Sequence, residues 1–379
     1  MQMMEWTEYK LEELLAYEQP TAYIVNSTDY NDNYKTPVLT AGKSFIIGYT
    51  NETIGIYDKL PVIIFDDFTT ASQYVNFPFK VKSSAMKILT ANTELVLPKF
   101  IFYKMQTIQF NHDTHKRYWI QQYSQIKVKV PPLPEQERIV AKIEELFSQL
   151  DAAVAELKSV KEKLVIYRQA VLKEAFEKHD DWEKYQLDDL MKSVKNGYGK
   201  KPTDSGEYRI LKISAVRALV LDLDESRLNR FPFEEGDLIH ENDLLFTRYN
   251  GSRELVGVCA VVPKLSIDYA YPDKIIRCIP KKNSVAHSKF LSYYLNHGEA
   301  RKFIRSKIKT TSGQNGISGS DLKRTEIYLP NDEIQENIVS QIEEKLSVCN
   351  DIEQTVDTAL QQAAALRQSI LKQAFEGNL

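Results

Sequence analysis

Few residues in this chain have the types and spacing of a reaction centre. Gly42-Lys43-Ser44 ends like a phosphate-cradling loop, but that loop needs a glycine five residues before Gly42 and Pro37 stands there. Gly197-x-Gly199 continues into Lys200-Lys201-Pro202, not into a dinucleotide fingerprint. His112-x-x-His115 has the spacing of a metal pair without further soft ligands nearby, and reads as polar surface. Cys259, Cys278 and Cys349 form no CxxC pair, so neither a disulfide framework nor a thiolate zinc site is expected, and a reducing cytoplasm is. There is no GxSxG elbow and no HExxH. Pro131-Pro132 follows Val130, where amino-methyltransferases place Asn or Asp before the proline pair. The chain reads as non-catalytic, with no metal and no cofactor of its own.

Binding chemistry is better represented. Net charge is −3, which excludes a chain held to nucleic acid by bulk charge alone, yet basic stretches recur. Phe79–Lys87 (FKVKSSAMK) carries Lys80, Lys82 and Lys87 beside Ser83 and Ser84, with no acid. Met191–Arg217 carries seven Lys/Arg against Asp204 and Glu207. Arg301–Lys309 runs without an acid into Thr310-Thr311-Ser312-Gly313-Gln314-Asn315-Gly316. Cations beside Ser, Thr, Asn, Gln and Gly suit phosphate contacts next to base-edge hydrogen bonds. The plainer alternative is a solvated basic face. The DNA-contacting set on this reading is Lys43, Lys80, Lys82, Ser83, Ser84, Lys87, Lys200, Lys201, Arg248, Asn250, Arg253, Lys309 and Gln314. Lys80, Lys82, Lys200 and Lys201 suit phosphate, Arg248 and Arg253 guanine, and Gln314 or Asn250 adenine. Asp66 or Asp67 could accept from cytosine, though a turn or capping role suits either better.

These stretches are set in a repeated frame. Slid by 199 residues, Val128–Glu177 lies over Ile327–Glu376 with 16 identities in 50 positions, among them Pro131/Pro330, Gln136/Gln335, Arg168/Arg367 and Phe176/Phe375. Chance gives roughly three. Trp6-x-x-Tyr9-x-Leu11-x-x-Leu14 recurs as Trp182-x-x-Tyr185-x-Leu187-x-x-Leu190, while the segments between the repeats do not align by eye. In the first repeat, apolar residues step by four and three through Ile139, Ile143, Leu146, Leu150, Ala153, Leu157, Val160, Leu164, Tyr167 and Val171. The second continues at Ile338, Ile342, Ile352, Val356, Ala359, Ala363, Leu366 and Ile370, with Lys345 and Cys349 predicting a local irregularity. This is a heptad seam. Pro131, Pro132 and Pro134 bound the first helix, Asp332 with Gln335 resembles a capping box, and Gly377 suits a stop.

The expected fold is α+β: two mixed α/β domains separated by two long helices packed as an antiparallel coiled coil. The boundaries fall at 1–130 (domain), 131–178 (helix), 179–329 (domain) and 330–379 (helix). Val62–Phe65 predicts a strand ending in a turn at Asp66-Asp67. Leu244–Arg248, a tight turn at Asn250-Gly251 and Val256–Val262 predict a hairpin, and Lys289–Lys309 a helix. If the helices pair antiparallel, the two domains are related by a pseudo-twofold. The charged Met1–Pro20 predicts no signal peptide, and no run of 18 apolar residues predicts a membrane span. A coiled-coil scaffold that binds protein without reading DNA is the competing reading.

Several segments resemble the specificity subunits of type I restriction–modification enzymes. They are Pro131–Ile139 (PPLPEQERI), Leu366–Gly377 (LRQSILKQAFEG), Asn242–Arg248, Asn250-Gly251-Ser252, Thr311–Gln314, Phe65–Thr69 and Phe79-Lys80. Asn331-Asp332-Glu333-Ile334-Gln335 departs from the usual proline- and EQ-rich opening of the second copy. The resemblance implies two target-recognition domains that read the halves of a split, asymmetric site on double-stranded DNA, with the helices as a ruler. It implies two methyltransferase (M) subunits, which bind S-adenosylmethionine, and restriction (R) subunits, with ATP and Mg also expected on partners. It leaves this chain non-catalytic.

Overall fold

The computed structural model describes residues 6–42, 44–111, 117–177, 182–311 and 313–379. The chain divides into two compact units, one comprising Met1–Ser159 with Val356–Leu379 and the other Val160–Thr355. Both long helices contribute to both units.

In the first unit the order is β1 (Thr7–Lys10), α1 (Leu11–Leu14), β2 (Leu15–Glu18), β3 (Thr36–Leu39), β4 (Ile46–Thr50), β5 (Val62–Asp66), β6 (Ser72–Val75), β7 (Lys80–Val81), β8 (Met86–Ala91), α2 (Pro98–Met105) and β9 (Lys127–Val130). Helix α3 (Leu133–Ala175) follows. Strands β1 and β9 pair antiparallel, Thr7 opposite Val130. The main sheet is antiparallel in the order β2-β8-β5-β6. A smaller sheet, β4-β3-β7, contains one parallel pair. The Val62–Phe65 run is buried on both faces, as an uninterrupted apolar strand must be. Ile63 and Phe65 join a cluster with Leu11, Phe100, Trp119 and Ile143, while Val62 and Ile64 join one with Leu39, Tyr57 and Phe79.

The second unit continues with β10 (Glu183–Gln186), α4 (Leu187–Leu190), β11 (Met191–Asn196), β12 (Tyr208–Leu211), β13 (Val216–Arg217), β14 (Val220–Leu221), β15 (Ser226–Asn229), β16 (Leu244–Thr247), β17 (Tyr249–Asn250), β18 (Cys259–Val261), β19 (Tyr269–Ala270) and β20 (Ile275–Pro280). Then come α5 (Val285–Leu295), α6 (Gly298–Ser306), β21 (Lys309–Thr311), β22 (Gln314–Gly316), α7 (Gly319–Lys323), β23 (Glu326–Leu329) and α8 (Asp332–Phe375). Strands β10 and β23 pair as β1 and β9 do. The main sheet is β11-β20-β16-β18, and the smaller sheet β15-β12-β19 again has one parallel pair. The two units share a topology that their sequences do not reveal.

The helices are long and unbroken, 43 residues in α3 and 44 in α8. At 1.5 Å per residue each extends about 65 Å. Within the first unit Arg138 donates to the Leu379 carbonyl at 2.9 Å and Arg367 meets Asp151 at 2.5 Å. Within the second, Arg168 reaches Asn350 at 2.9 Å and Glu353 at 2.7 Å, and Lys345 meets Glu174 at 3.3 Å. In each unit the partner's number falls as the residue's rises, so α3 and α8 run antiparallel.

The seam differs from the heptad reading in detail. Tyr167 is 48% exposed, Leu366 50% and Ile352 40%, and Ala153 also faces solvent. The residues one position further on, Arg168, Leu366's neighbour Arg367, Glu353 and Val154, are half-buried instead. A long arginine can lay its stem across the seam and keep its charge on a partner, which the apolar pattern does not register. Around Lys345 and Cys349 α8 remains continuous: Cys349 is buried and Lys345 takes its partner on α3. The cap of α8 is Asn331, whose Oδ1 accepts from Ile334 N at 3.0 Å, and Gln335 turns inward. At the far end Gly377 has φ +79° and Asn378 N donates to Gln373 O, a Schellman stop.

Two further expectations change. The strand after β16 does not return through a tight turn, because β17 leaves to pair with β22 before β18 comes back along β16. Lys289–Lys309 is not one helix: α5 ends at Leu295, α6 begins at Gly298, whose φ is +55°, and Lys309 begins β21.

Candidate nucleic-acid interface

The first unit buries much of its expected basic surface. Lys80 is 1% exposed, and its Nζ donates to Ile54 O at 2.7 Å and meets Glu52 at 3.0 Å. Burial raises the Glu52 carboxyl pKa, but Lys80 and the backbone amides of Ser27 and Asn26 outweigh it and bring it below the usual range. Lys87 is also 1% exposed, 3.3 Å from Asp67 and 2.7 Å from Gln19 Oε1. Asp67 accepts in turn from Trp119 N at 2.7 Å. Both lysines therefore brace loops, which corrects their assignment as DNA contacts. The acids they pair with are remote in sequence, so the stretch looked free of partners. Lys82 is exposed, Ser83 and Ser84 are half-buried, and Lys43 lies outside the described residues. Asp66 caps its own turn, accepting from Phe68 N and Thr69 N.

The second unit presents more. Lys200 and Lys201 are exposed in the loop after β11. Arg248 is half-buried, donates to Asp273 O at 3.0 Å, and lies 4.7 Å from the Tyr249 ring centroid. It is partly committed to structure. Asn250 Oδ1 accepts from Ser252 N, and its Nδ2 carries the side chain's two donors. Arg253 is exposed and donates to Arg305 O at 3.2 Å. Lys309 and Gln314 stand exposed on the ribbon of β21 and β22, which completes a sheet ordered β17-β22-β21. Asn315 and Gly316, read in the sequence only as part of a polar run, build this ribbon, and Tyr249, which pairs with Gly316, escaped the sequence reading. The polar, glycine-containing run Thr310–Gly316 was the signal for the ribbon's own strands, and nothing local marked Tyr249.

Cys259 and Cys278 are buried, and desolvation pushes both thiols up, away from the reactive thiolate. Among the described residues no group of three or more His, Cys, Asp or Glu side chains could hold a metal ion. Among the same residues no helix is long and apolar enough to cross a membrane.

Two units of one topology thus stand on a repeated helical frame and expose different loops. The profile of the type I restriction modification DNA specificity domain matches residues 3–162 and 179–362, and the chain belongs to that family. It is 32% identical over 374 residues to the type I restriction enzyme EcoR124I/EcoR124II specificity subunit of Escherichia coli, covering 92% of this chain and 88% of that one. It is 37% identical over 276 residues to the EcoKI specificity subunit of Escherichia coli strain K12, covering 67% of this chain and 58% of that one. A chain from a structure of a type I R-M system superposes with TM-score 0.74 at 18% identity, over 99% of this chain and 98% of that one. The HsdS subunit from Thermoanaerobacter tengcongensis gives 0.57 at 18% identity, over 99% and 97%. At that identity the likeness concerns the fold.

Proposed function

We propose that this chain is the specificity subunit of a type I restriction–modification system. Residues 1–130 and 179–329 are its recognition domains, and 131–178 and 330–379 its spacer helices. Each domain reads one half of a split, asymmetric site on double-stranded DNA, and the helices set the gap. Two methyltransferase subunits and restriction subunits dock on it, bringing S-adenosylmethionine, ATP and Mg. The chain itself transfers no methyl group, cuts no strand and works in the cytoplasm. The observation that carries this reading is a shared topology built from unalignable sequences on a repeated frame, as two unlike half-sites require. A protein-binding scaffold would need no such divergence of surface loops.

The test is the pattern of methylated bases in a host carrying the chain with its methyltransferase subunit, compared with a host lacking the chain. A two-part motif that vanishes with the chain is expected. A four-residue insertion in α3, about one helical turn, should change the spacer of that motif. Methylation indifferent to the chain, with no salt-dependent duplex binding, would favour the scaffold.

A further inference from the structure

We propose that the β21–β22 ribbon is the base-reading element of the second unit, with Thr311 and Gln314 at the bases, Lys309 at a phosphate and Asn315 as a positioning residue. This rests on the DNA-specificity reading above. Among the described residues the sheet β17-β22-β21 has no counterpart in the first unit, so the shared topology does not require it. An exposed two-stranded ribbon is marginal by itself, and this one is held from behind. A Cβ on Gly316 would come 2.4 Å from the Tyr249 ring, so only glycine lets β22 close on β17. Ile317, buried beyond it, donates from its backbone to Arg248 O at 3.0 Å.

Register then sorts the side chains. Thr310 pairs with Asn315, Thr311 with Gln314 and Lys309 with Gly316. Successive residues of a strand face opposite ways and directly opposed residues share a face. One face thus holds Thr310 and Asn315. The Thr310 hydroxyl donates to Asn315 Oδ1 at 2.7 Å, and Asn315 Nδ2 donates to Gly251 O at 2.9 Å, so one end of that amide links the two strands and the other ties the ribbon to the body. The other face holds Lys309, Thr311 and Gln314, all exposed, and the structure records no partner for their side chains among the described residues. A major groove admits a two-stranded ribbon. A glutamine amide suits adenine N6 and N7, a threonine offers a hydroxyl and a methyl, and a lysine suits the backbone.

The experiment expresses the full chain with the methyltransferase subunit of its system and maps methylated motifs for wild type, Q314A, T311A/Q314A, N315A and K309A. The two half-sites act as mutual controls. Expected for Q314A is relaxed choice at one or two positions of a single half-site, by about tenfold or more, with the other half and the spacer unchanged; Q314N should restore part of it. N315A should lower methylation of the same motif without changing its bases. K309A should weaken duplex binding evenly across sequences and reduce the slope of log affinity against log salt by about 0.9. An unchanged motif in both Q314A and T311A/Q314A overturns the proposal. So does loss of all methylation by variants that still bind the wild-type duplex, which would make the ribbon a protein-docking element. A wild-type chain that directs no two-part motif overturns the functional reading itself.

Discussion

The two units build one design from different residues. Ile63 and Phe65 face the helix-side cluster and Ile64 the outer one in the first; Leu244 and Phe246 face the former and Leu245 the latter in the second. Near the frame the residues themselves recur. Phe375 packs on Phe100 with centroids 5.2 Å apart, and Phe176 on Phe290 at 5.4 Å. Lys99 binds Glu144 and Lys289 binds Glu343. Gln136 donates to Pro131 O and Gln335 to Pro330 O. Away from the frame the topology recurs but the side chains diverge: the first unit buries Lys80 and Lys87, and the second adds a ribbon. Residues that touch the helices are constrained twice over, while those facing out are free to diverge.

The largest expected break is at the aromatic anchors. F375A and F176A should each cost about 3 kcal/mol, and hydrogen exchange should show the loss confined to the unit concerned. Equal loss of protection in both units from either variant would mean that the two are not separate cooperative bodies.

The buried glutamines sharpen the contrast. Gln136 also accepts from Leu97 N at 2.8 Å and donates to Leu95 O at 3.0 Å, whereas the remaining partner of Gln335 is His287 Nδ1 at 2.8 Å. Q136L should therefore cost more than Q335L, each about 1–3 kcal/mol in denaturant unfolding. Only the second unit carries a titration at this point. Burial holds the His287 imidazole below its usual pKa against the opposing bond to Gln335. The unfolded chain takes up the proton first, so stability is full above the unfolded value of about 6.5. It falls as pH drops from there toward the folded value. Protection near Gln335, corrected for the intrinsic pH dependence of amide exchange, should fall on acidification and that near Gln136 should not.

The smallest effect belongs to the repeated arginines. Arg168 meets two polar partners, while Arg367 meets Asp151 and lies 4.0 Å from the Phe147 ring centroid. R168A and R367A should each cost up to about 1 kcal/mol. Added salt should shrink the first more than the second, because stacking on Phe147 is less screened.

The repeat, the long helices, the start of α3 at the proline run and the stop at Gly377 were all legible, because heptad spacing and proline geometry act locally along the chain. The exposed cations of the second unit were legible too, since Lys200, Lys201 and Lys309 remain at the surface. Lys80 and Lys87 were misread for the opposite reason: Glu52 and Asp67 reach them only through the sheet. The Asn250-Gly251 hairpin failed because β17 found a better partner in β22, a pairing made by residues far along the chain.

By itself the sequence determined a repeated helical frame with two unlike inserts, since periodicity and identity at a constant offset need no coordinates. Tertiary structure alone decided that the inserts share one topology, which cations are buried, and that Arg168 and Arg367 enter the seam. Those outcomes depend on which distant groups meet when apolar faces close, and desolvation then sorts each polar side chain into brace or surface.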